Sequence, residues 1–463
     1  MNNLIFFFWI SIVALVMVKY KDHAQQFWKV RQLTFDAQNH ELDHNENFSP
    51  DDQWIVYDTR PHPAGIGENM KIEKVHLKRG LKRTIYEVLN AHQKGPGVGA
   101  VSYHPFKNQV VFIHGLQNAS DNYPYAGYRR TGVIVDELNP GVPIFMDSRD
   151  VIKPFTPGAL RGGTHRHQWS ADGDWIGFTY NDALMVALEE KTGKSYDLRT
   201  VGVAHRNGPK VLVDRGDGNI QGAWYSALVV RVVPEPTPGT NEIKKAYGDW
   251  WVGTEGYPLK NGGYQRSRAF MGDVVTCDGK EITEVFIVDI PEQIHFPGEA
   301  GPLQGSETQM PMPPKGAITK RLTFSEGRRF PGTASVPRHW LSSSMDGTYI
   351  SFLAKDEGGI VQVYLVSPHG GERIQASFHT TDVQSTVRWH PKNREFTYIC
   401  DNRIFLNTVD EKGSIGNAVG ITERSQKTPF AHCFSRNGDR IVFNSHVVDN
   451  GEEYIQIFLA EKP

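Results

Sequence analysis

The stretch FSPDDQWIVYDT at 48–59 decides the fold, because its pattern returns five more times along the chain. Most copies begin with an aromatic residue, and each has a Ser or His, a short polar turn, and then an alternating apolar and polar run. Asp-Gly and Asn-Gly pairs suit tight turns, and the alternating run is typical of a strand with two different faces. The other copies are YHPFKNQVVFIH (103–114), WSADGDWIGFTY (169–180), SMDGTYISFLAK (344–355), WHPKNREFTYIC (389–400) and FSRNGDRIVFNS (434–445).

A second repeat accompanies the hairpins and predicts strands that lead into the next unit. It reads RQLTF at 31–35 and RLTF at 321–324, with GITE at 420–423 as a weaker copy. The interval between the copies at 169 and 344 is too long for one unit. Within it, YSALVVRVV (225–233) and EVFIVDI (284–290) predict the strands of one divergent unit around a polar insertion at about 234–268.

Repeats of this length predict a β-propeller, since each blade of such a ring uses about 40–50 residues. We therefore expect an all-β chain with one propeller over 29–463. It would have about seven four-stranded blades, or six if the divergent segment forms no blade.

The composition excludes some classes of protein. The formal net charge is −2, so no broad basic field would recruit nucleic acid. Cys277, Cys400 and Cys433 are far apart in sequence and form neither a disulfide framework nor a CxxC metal motif. This pattern fits a reducing compartment.

Residues 1–28 differ from the rest, because 4–18 (LIFFFWISIVALVMV) is an apolar run without a charge. A spanning helix needs about 20 residues, and no signal-cleavage pattern follows. Three interpretations stay open: a membrane tether, a signal for export to the periplasm, or a mis-assigned start, with the real start lying downstream, for instance at Met17. Lys19, Lys21 and Arg31 follow the run and favour a propeller on the cytoplasmic side of a tether.

The combination of FSPD-x-x-W-I-V-Y with RQLTF resembles the TolB-like propeller repeat. From about Val30 to the end, the chain is more closely similar to an uncharacterised bacterial family of TolB-like propellers that includes the enterobacterial protein YidR. The segments that carry this likeness are RGGTHRHQWSADGDWIGFTYND (161–182), PGTASVPRHW (331–340) and GGIVQVYLVSPHGGE (358–372). The likeness implies a fold and no activity. Relatives begin near Arg31, which favours the mis-assigned start.

A more distant resemblance is to oligogalacturonate lyase, a propeller whose metal is held by histidines and a glutamine at the channel mouth. This likeness concerns fold and residue type only. It implies acidic sugars as a ligand class and lyase or hydrolase chemistry, and it identifies no catalytic residue in this chain.

Aligning the copies on the Ser or His of each turn places histidines at recurring offsets. His44, His165 and His339 stand five residues before it, and His167 and His432 stand three before it. The strand that precedes this turn is innermost in a propeller, so equivalent positions would converge at the channel mouth. With Gln384, these imidazoles would suit one divalent metal such as Mn²⁺, Zn²⁺ or Fe²⁺.

Charged residues beside these histidines suggest an anionic ligand. Arg161 and Arg338 would bind carboxylate or phosphate groups, and Asp382 would supply oxygen. The alternative is that the histidines are structural, as we expect for His104 and His390, which replace the turn serine. In that case the protein would be a non-catalytic scaffold, presenting its loops and the 234–268 segment to a protein partner. No GxSxG motif indicates a serine hydrolase.

Overall fold

Seven small antiparallel sheets form a closed ring, which confirms the β-propeller expected from the repeats. The structure is a computed structural model that describes residues 27–42, 46–62, 64–89, 91–214 and 216–463. The innermost strands of several neighbouring blades contact one another, and apolar clusters fill the spaces between neighbouring sheets.

The blades are numbered here in chain order, and their strands are given from the innermost outward. Blade 1 begins with isolated bridges at Glu41 and Phe48 in place of a regular innermost strand. The strands are Trp54–Asp58, Lys71–His76 and Lys82–Glu87 in blade 1; Val98–Tyr103, Gln109–Gly115, Arg130–Asp136 and Ile144–Phe145 in blade 2; Gly162–Trp169, Trp175–Asp182, Thr200–His205 and Tyr225–Leu228 in blade 3; Ala246–Trp251, Ser267–Val275, Glu281–Asp289 and Ile318–Arg321 in blade 4; Ser342–Ser343, Ile350–Lys355, Val361–Val366 and Ile374–Gln375 in blade 5; Arg388–Trp389, Glu395–Cys400, Arg403–Thr408 and Val419–Gly420 in blade 6; and Phe430–Phe434, Arg440–Asp449, Glu452–Glu461 and Lys29–Gln32 in blade 7.

The recurring Ser or His closes the turn between the first two strands of a blade. The Ser170 hydroxyl accepts a hydrogen bond from the Trp175 amide at 3.0 Å, and Ser344 and Ser435 make the same bond in their blades. In blade 2 the Nδ1 atom of His104 accepts from two backbone amides instead, and His390 does so in blade 6. These two histidines are therefore structural, as expected.

The ring is closed by strands from opposite ends of the chain. Lys29–Gln32 pairs with Glu452–Glu461 as the outer strand of blade 7. The Arg31 guanidinium donates to the Glu461 carboxylate at 3.1 Å, and Leu33 is buried just beyond the strand.

The divergent region is organised differently from the sequence interpretation. Tyr225–Leu228 is the outer strand of blade 3, whereas the strand around 284–290 belongs to blade 4. The innermost strand of blade 4, Ala246–Trp251, lies inside the segment 234–268, for which the sequence predicts an insertion. Its turn has no Ser or His, so the repeat pattern is hidden there.

A few elements lie outside the blades. A helix, Ala183–Thr192, leaves the second strand of blade 3 and is capped by Asp182, whose side chain accepts from the Leu184 and Met185 amides. The others are the 3-10 turns Gly65–Glu68 and Gly127–Arg129, the parallel pair Ser148–Arg149 and Ala159–Leu160, and the hairpin Tyr257–Pro258 with Tyr264–Gln265.

The apolar run 4–18 lies outside the described residues. Within the described ranges, no helix has both the length and the apolar character needed to cross a membrane. Cys277, Cys400 and Cys433 are all free thiols.

Candidate functional site

Two cavities lie at opposite ends of the innermost strands. The first, of about 930 Å³, is called the basic cavity; it contains His165, Arg166 and His339 near the starts of these strands. The second, of about 370 Å³, is called the aromatic cavity; it is lined by the turns of all seven blades, with Phe106, Trp169 and Trp389 among its walls. The starts of innermost strands therefore converge, as the blade alignment predicts for His165 and His339.

A bulge at the same place in four innermost strands shapes the basic cavity. The residues in this bulge, each four positions before the turn, are Ala100, Arg166, Gly248 and Ala431, with φ between 51° and 64°. Non-glycine residues pay about 1–3 kcal/mol for such a conformation, and strain of this kind collects at functional sites. Because the bulge interrupts the strand alternation, His165 and His167 do not share a face, as residues two apart on a regular strand would.

One hydrogen-bonded chain runs along the wall of the basic cavity and consists of Arg130, His165, Asn181 and Arg199. Arg130 donates to Nδ1 of His165 at 3.0 Å. The other ring nitrogen of His165, Nε2, then donates to the Asn181 side-chain oxygen at 3.1 Å, and this oxygen also accepts from Nε of Arg199 at 3.1 Å. Two guanidinium groups are thus fixed in place by neutral partners.

Burial and positive charge act together on this wall. Burial, followed by the charges of Arg199 and Arg130, holds the pKa of His165 well below its usual value, so its imidazole is neutral at pH 7. Burial, followed by the charges of Arg130 and Arg338, lowers the pKa of Arg199 to about 10. Arg199 therefore stays protonated at neutral pH, within a field of like charges.

Three other arginines with buried side chains are neutralised by carboxylates. Arg161 binds Asp182, Arg268 binds Asp249 and Arg321 binds Glu284. In contrast, no carboxylate in the described part of the chain forms an ion pair with Arg130, Arg199, Arg338 or Lys245, all of which line the basic cavity. The positive charges of the cavity are therefore available to a ligand.

Asp147 holds the strands that carry Arg130 and His165. One carboxylate oxygen, Oδ1, accepts from the Thr131 hydroxyl at 3.0 Å, the Gly132 amide at 2.7 Å and the Thr164 hydroxyl at 3.3 Å. Thr131 follows Arg130, and Thr164 precedes His165. The buried Asp147 side chain therefore positions the residues directly next to both Arg130 and His165. Burial raises the pKa of Asp147 to about 6, although these hydrogen bonds oppose the shift.

The structure brings together some of the residues predicted from sequence. His165, His339 and Arg338 all line the basic cavity. Arg161 is buried with Asp182 and also donates to backbone oxygens at Ser306 and Gln309. The described lining does not include the remaining candidates, which have other partners. Asp382 accepts from the Val361 amide, and Gln384 bonds to Asn402. His167 contacts the Thr164 hydroxyl, and His432 lies 3.3 Å from the Thr397 carbonyl oxygen.

His44 lies outside the described residues. The ring nitrogens of His339 contact the backbone, with Nδ1 at 3.1 Å from the Pro337 oxygen and Nε2 at 3.4 Å from the Leu353 amide. Burial lowers the pKa of His339 to about 4, so this ring is neutral at pH 7. Across the described ranges, no three His, Cys, Asp or Glu side chains are grouped closely enough to hold a metal ion.

A column of stacked side chains connects the two cavities. Trp340 is contacted by the guanidinium carbons of Arg338, 4.9 Å from the ring centre, and of Arg166, 3.8 Å from it. Arg166 also lies 5.8 Å from the ring centre of Trp250, on which Arg388 stacks at 4.6 Å. Arg338 and Trp340 line the basic cavity and Trp250 and Arg388 the aromatic one, so this column occupies the channel between them.

Sequence reasoning missed Arg130, Asn181 and Arg199. Arg130 is the first residue of a blade 2 strand, outside the positions that the repeat alignment compares. The repeat alignment covered the innermost strands, whereas Arg199 lies just before the third strand of blade 3. A signal was available, because Arg130 and Arg199 directly precede the apolar runs of the third strands in neighbouring blades.

Comparisons with known proteins give a family and no activity. Residues 97–217 match a family described as a protein of unknown function (DUF3748). The chain is 39% identical over 430 residues to the uncharacterised protein YidR of Escherichia coli, covering 92% of this chain and 94% of that protein.

Solved structures with a similar fold share little sequence. A putative TolB from Agrobacterium tumefaciens aligns with 85% of this chain and 98% of its own, at 12% identity and a TM-score of 0.37. Puromycin hydrolase aligns over 89% of this chain and 51% of its own, at 12% identity and a TM-score of 0.45.

Proposed function

The chain belongs to the family of Escherichia coli YidR, and for this member we propose that the propeller binds a small anionic ligand in the basic cavity. The contacts of the cavity account for ligand binding, which requires no catalytic group. The ligand would enter where the innermost strands start.

The observation that supports this proposal is the way Arg130 and Arg199 are held. Both are fixed by His165 and Asn181, which are neutral, whereas Arg161 and Arg268 are neutralised by carboxylates. A carboxylate partner would cancel the positive charge, while a neutral acceptor orients a guanidinium group and leaves its charge for a ligand. Arginine binds carboxylate and phosphate groups with two parallel hydrogen bonds.

Within this proposal, an acidic sugar is the preferred ligand class. The lining offers hydroxyl and amide groups from Thr179, Asn181 and Thr283, and the aromatic rings of Tyr247 and Trp340. Such groups bind sugar hydroxyls and pack against sugar rings, and the arginines would bind the carboxylate. A cavity of about 930 Å³ is in the size range of small-molecule sites.

The test is calorimetric titration of a chain that begins at Phe27 with inorganic phosphate and with galacturonate at low ionic strength. Arg199→Gln should weaken binding by about 10- to 150-fold, the equivalent of one hydrogen bond to a charged group at roughly 1.5–3 kcal/mol. The matched control is Arg328→Gln, because Arg328 pairs with Glu357 outside the cavity. Equal affinities for Arg199→Gln and the control would contradict the proposal, as would the absence of binding to either probe.

Metal binding by His165 and His339, with His44, stays a prediction. The contact from Arg130 weighs against it, because the lone pair on Nδ1 of His165 already accepts a hydrogen bond. Metal content by mass spectrometry, without affinity histidines, tests it directly. Stoichiometric Mn, Zn or Fe that is lost in both His165→Ala and His339→Ala would support a metal centre and lyase or hydrolase chemistry on an acidic sugar.

A second candidate function is a scaffold for a protein partner, and it is favoured by three exposed phenylalanines. Phe35, Phe324 and Phe378 are 71%, 71% and 74% exposed, and each directly follows a buried Thr or Ser after the outer strand of its blade. The oxygens of these hydroxyls accept equivalent hydrogen bonds from the backbone amides of Ile457, Val285 and Val363. Cross-linking that recovers the same partner from wild type but not from a triple Phe→Ser variant would support this role.

A further inference from the structure

We propose that the ligand of the basic cavity carries at least two negative charges, placed on separate groups. This inference rests on the proposed function, because it specifies the ligand of the same site.

The charge balance of the lining is the first argument. Its cations are Arg60, Arg130, Arg166, Arg199, Lys245 and Arg338, and its described carboxylates are Glu41 and Asp197. Arg60 is already neutralised by Asp58, which lies outside the lining. Four others, Arg130, Arg199, Lys245 and Arg338, form no ion pair with a described carboxylate, so these four cations face two carboxylates in the described lining. A ligand with a single negative charge would leave half of this excess uncompensated.

Mutual repulsion within the cavity is the second argument. The charges of Arg130 and Arg338 both act on Arg199, so the three guanidinium groups are close enough to interact. His165 is bonded to one of them and is neutral, so it relieves none of the repulsion. Like charges held together in a partly buried site are unfavourable unless counter-charges enter with them.

The arrangement in depth is the third argument. Arg130 and Arg199 are anchored to His165 and Asn181 on the wall, whereas Arg338 and Lys245 are exposed at the rim. The cations of the cavity therefore stand at two levels, one pair half-buried on the wall and one pair exposed at the rim. Two anchoring points fit a ligand whose negative groups are separated, such as a dicarboxylate, a tricarboxylate, a sugar phosphate with a carboxylate, or an acidic oligosaccharide.

The probe series is butyrate, glutarate and tricarballylate, which carry one, two and three carboxylates at pH 8 on closely similar skeletons. Dissociation constants are measured by calorimetry at low ionic strength on the chain that begins at Phe27. We expect affinity to rise about ten-fold for each added carboxylate, the size of one charge-assisted hydrogen bond. Digalacturonate and inorganic phosphate distinguish a separated dianion from a single dianionic group, and the inference expects digalacturonate to bind more tightly.

Two variants test the electrostatic cause in opposite directions. Arg199→Gln removes one positive charge and should reduce the preference for tricarballylate over butyrate. Asp197→Asn removes a negative charge from the same lining and should strengthen tricarballylate binding. Both variants are first checked for an unchanged unfolding midpoint.

The outcomes separate this inference from the proposed function. If butyrate binds as tightly as tricarballylate while Arg199→Gln still weakens both, the cavity binds anions and the multiple-charge inference is wrong. If no member of the series binds to the folded wild type, both proposals are wrong. If Asp197→Asn weakens tricarballylate binding in a folded protein, net charge does not govern selection and the inference is again wrong.

Discussion

Replacement of Asp147 by Asn should change how stability depends on pH. Asp147 is completely buried, and burial raises the pKa of its carboxyl to about 6 from the usual 3.8. Each pKa unit corresponds to about 1.4 kcal/mol, so ionising this carboxyl in the folded protein costs about 3 kcal/mol more than in the unfolded chain. The Asn oxygen can still accept from Thr131 and from the Gly132 amide, so Asp147→Asn removes the charge and keeps the contacts.

The direction of this pH dependence follows from which state of the protein, folded or unfolded, binds the proton more tightly. Because the pKa of Asp147 is raised on folding, the folded state keeps the proton to higher pH than the unfolded chain does. Below about pH 4 both states are protonated and Asp147 costs nothing; between about pH 4 and pH 6 the wild type loses stability; above pH 6 the loss is complete. The stability of Asp147→Asn relative to wild type should therefore rise by about 3 kcal/mol from pH 4 to pH 7.

Urea unfolding at pH 4, 5, 6 and 7 measures this difference directly. Asp410→Asn is the control, because Asp410 is exposed and backbone hydrogen bonds lower the pKa of its carboxyl. A relative stability of Asp147→Asn that is the same at all four pH values would refute the reasoning, because it would mean that Asp147 has no raised pKa. A fall with rising pH would show that the carboxylate is stabilised by its surroundings.

Four further results are expected. Arg161→Ala should lower the free energy of unfolding by about 3–5 kcal/mol in urea titrations, because it leaves the Asp182 carboxylate buried without its partner; a loss below 1 kcal/mol would contradict this. Leu33→Ala should lower it by about 2–5 kcal/mol by the same assay, because Leu33 is buried beside the closing strand; an unchanged midpoint would show that the ring does not depend on this contact. Gly132→Ala would place a methyl group 2.9 Å from Nε2 of His167 and should cost about 1–3 kcal/mol, whereas Gly327→Ala has no neighbour within 4 Å and serves as the control. Binding of galacturonate should weaken steadily from 50 to 500 mM salt in calorimetric titrations, and an affinity that does not change with salt concentration would contradict a charged site.

Local sequence determined much of the fold because the propeller repeats one hairpin. The Ser or His turn, the strand after it and the closing RQLTF segment were all visible in the chain. Blade 4 was misjudged because its innermost strand has Gly248 in a bulge and lacks the turn residue on which the alignment relied. The helix Ala183–Thr192 was missed although Asp182 and Gly193 are common helix-capping residues, because the strand pattern before it dominated the interpretation.

The site was only partly predictable, for a geometric reason. Equal offsets in the repeat bring equivalent positions of different blades together by symmetry, and His165 and His339 both line the basic cavity. Sequence spacing does not show which neighbour each ring binds, so the bond from Arg130 to His165 was invisible. Arg161 and Arg338 looked equivalent in sequence, yet one is buried against Asp182 and the other is exposed at the rim.

Closure of the ring by Lys29–Gln32 and Glu452–Glu461 has a consequence for synthesis in the cell. Arg31 and Glu461 are 430 positions apart in the chain, so a strand that leaves the ribosome early pairs with one that is made much later. At about 5–20 residues per second, that early strand waits roughly 20–90 s for its partner. During this time Lys29–Gln32 has no partner strand and the ring stays open, so chaperones would meet this protein chiefly before the strands of blade 7 near 430–461 have been made.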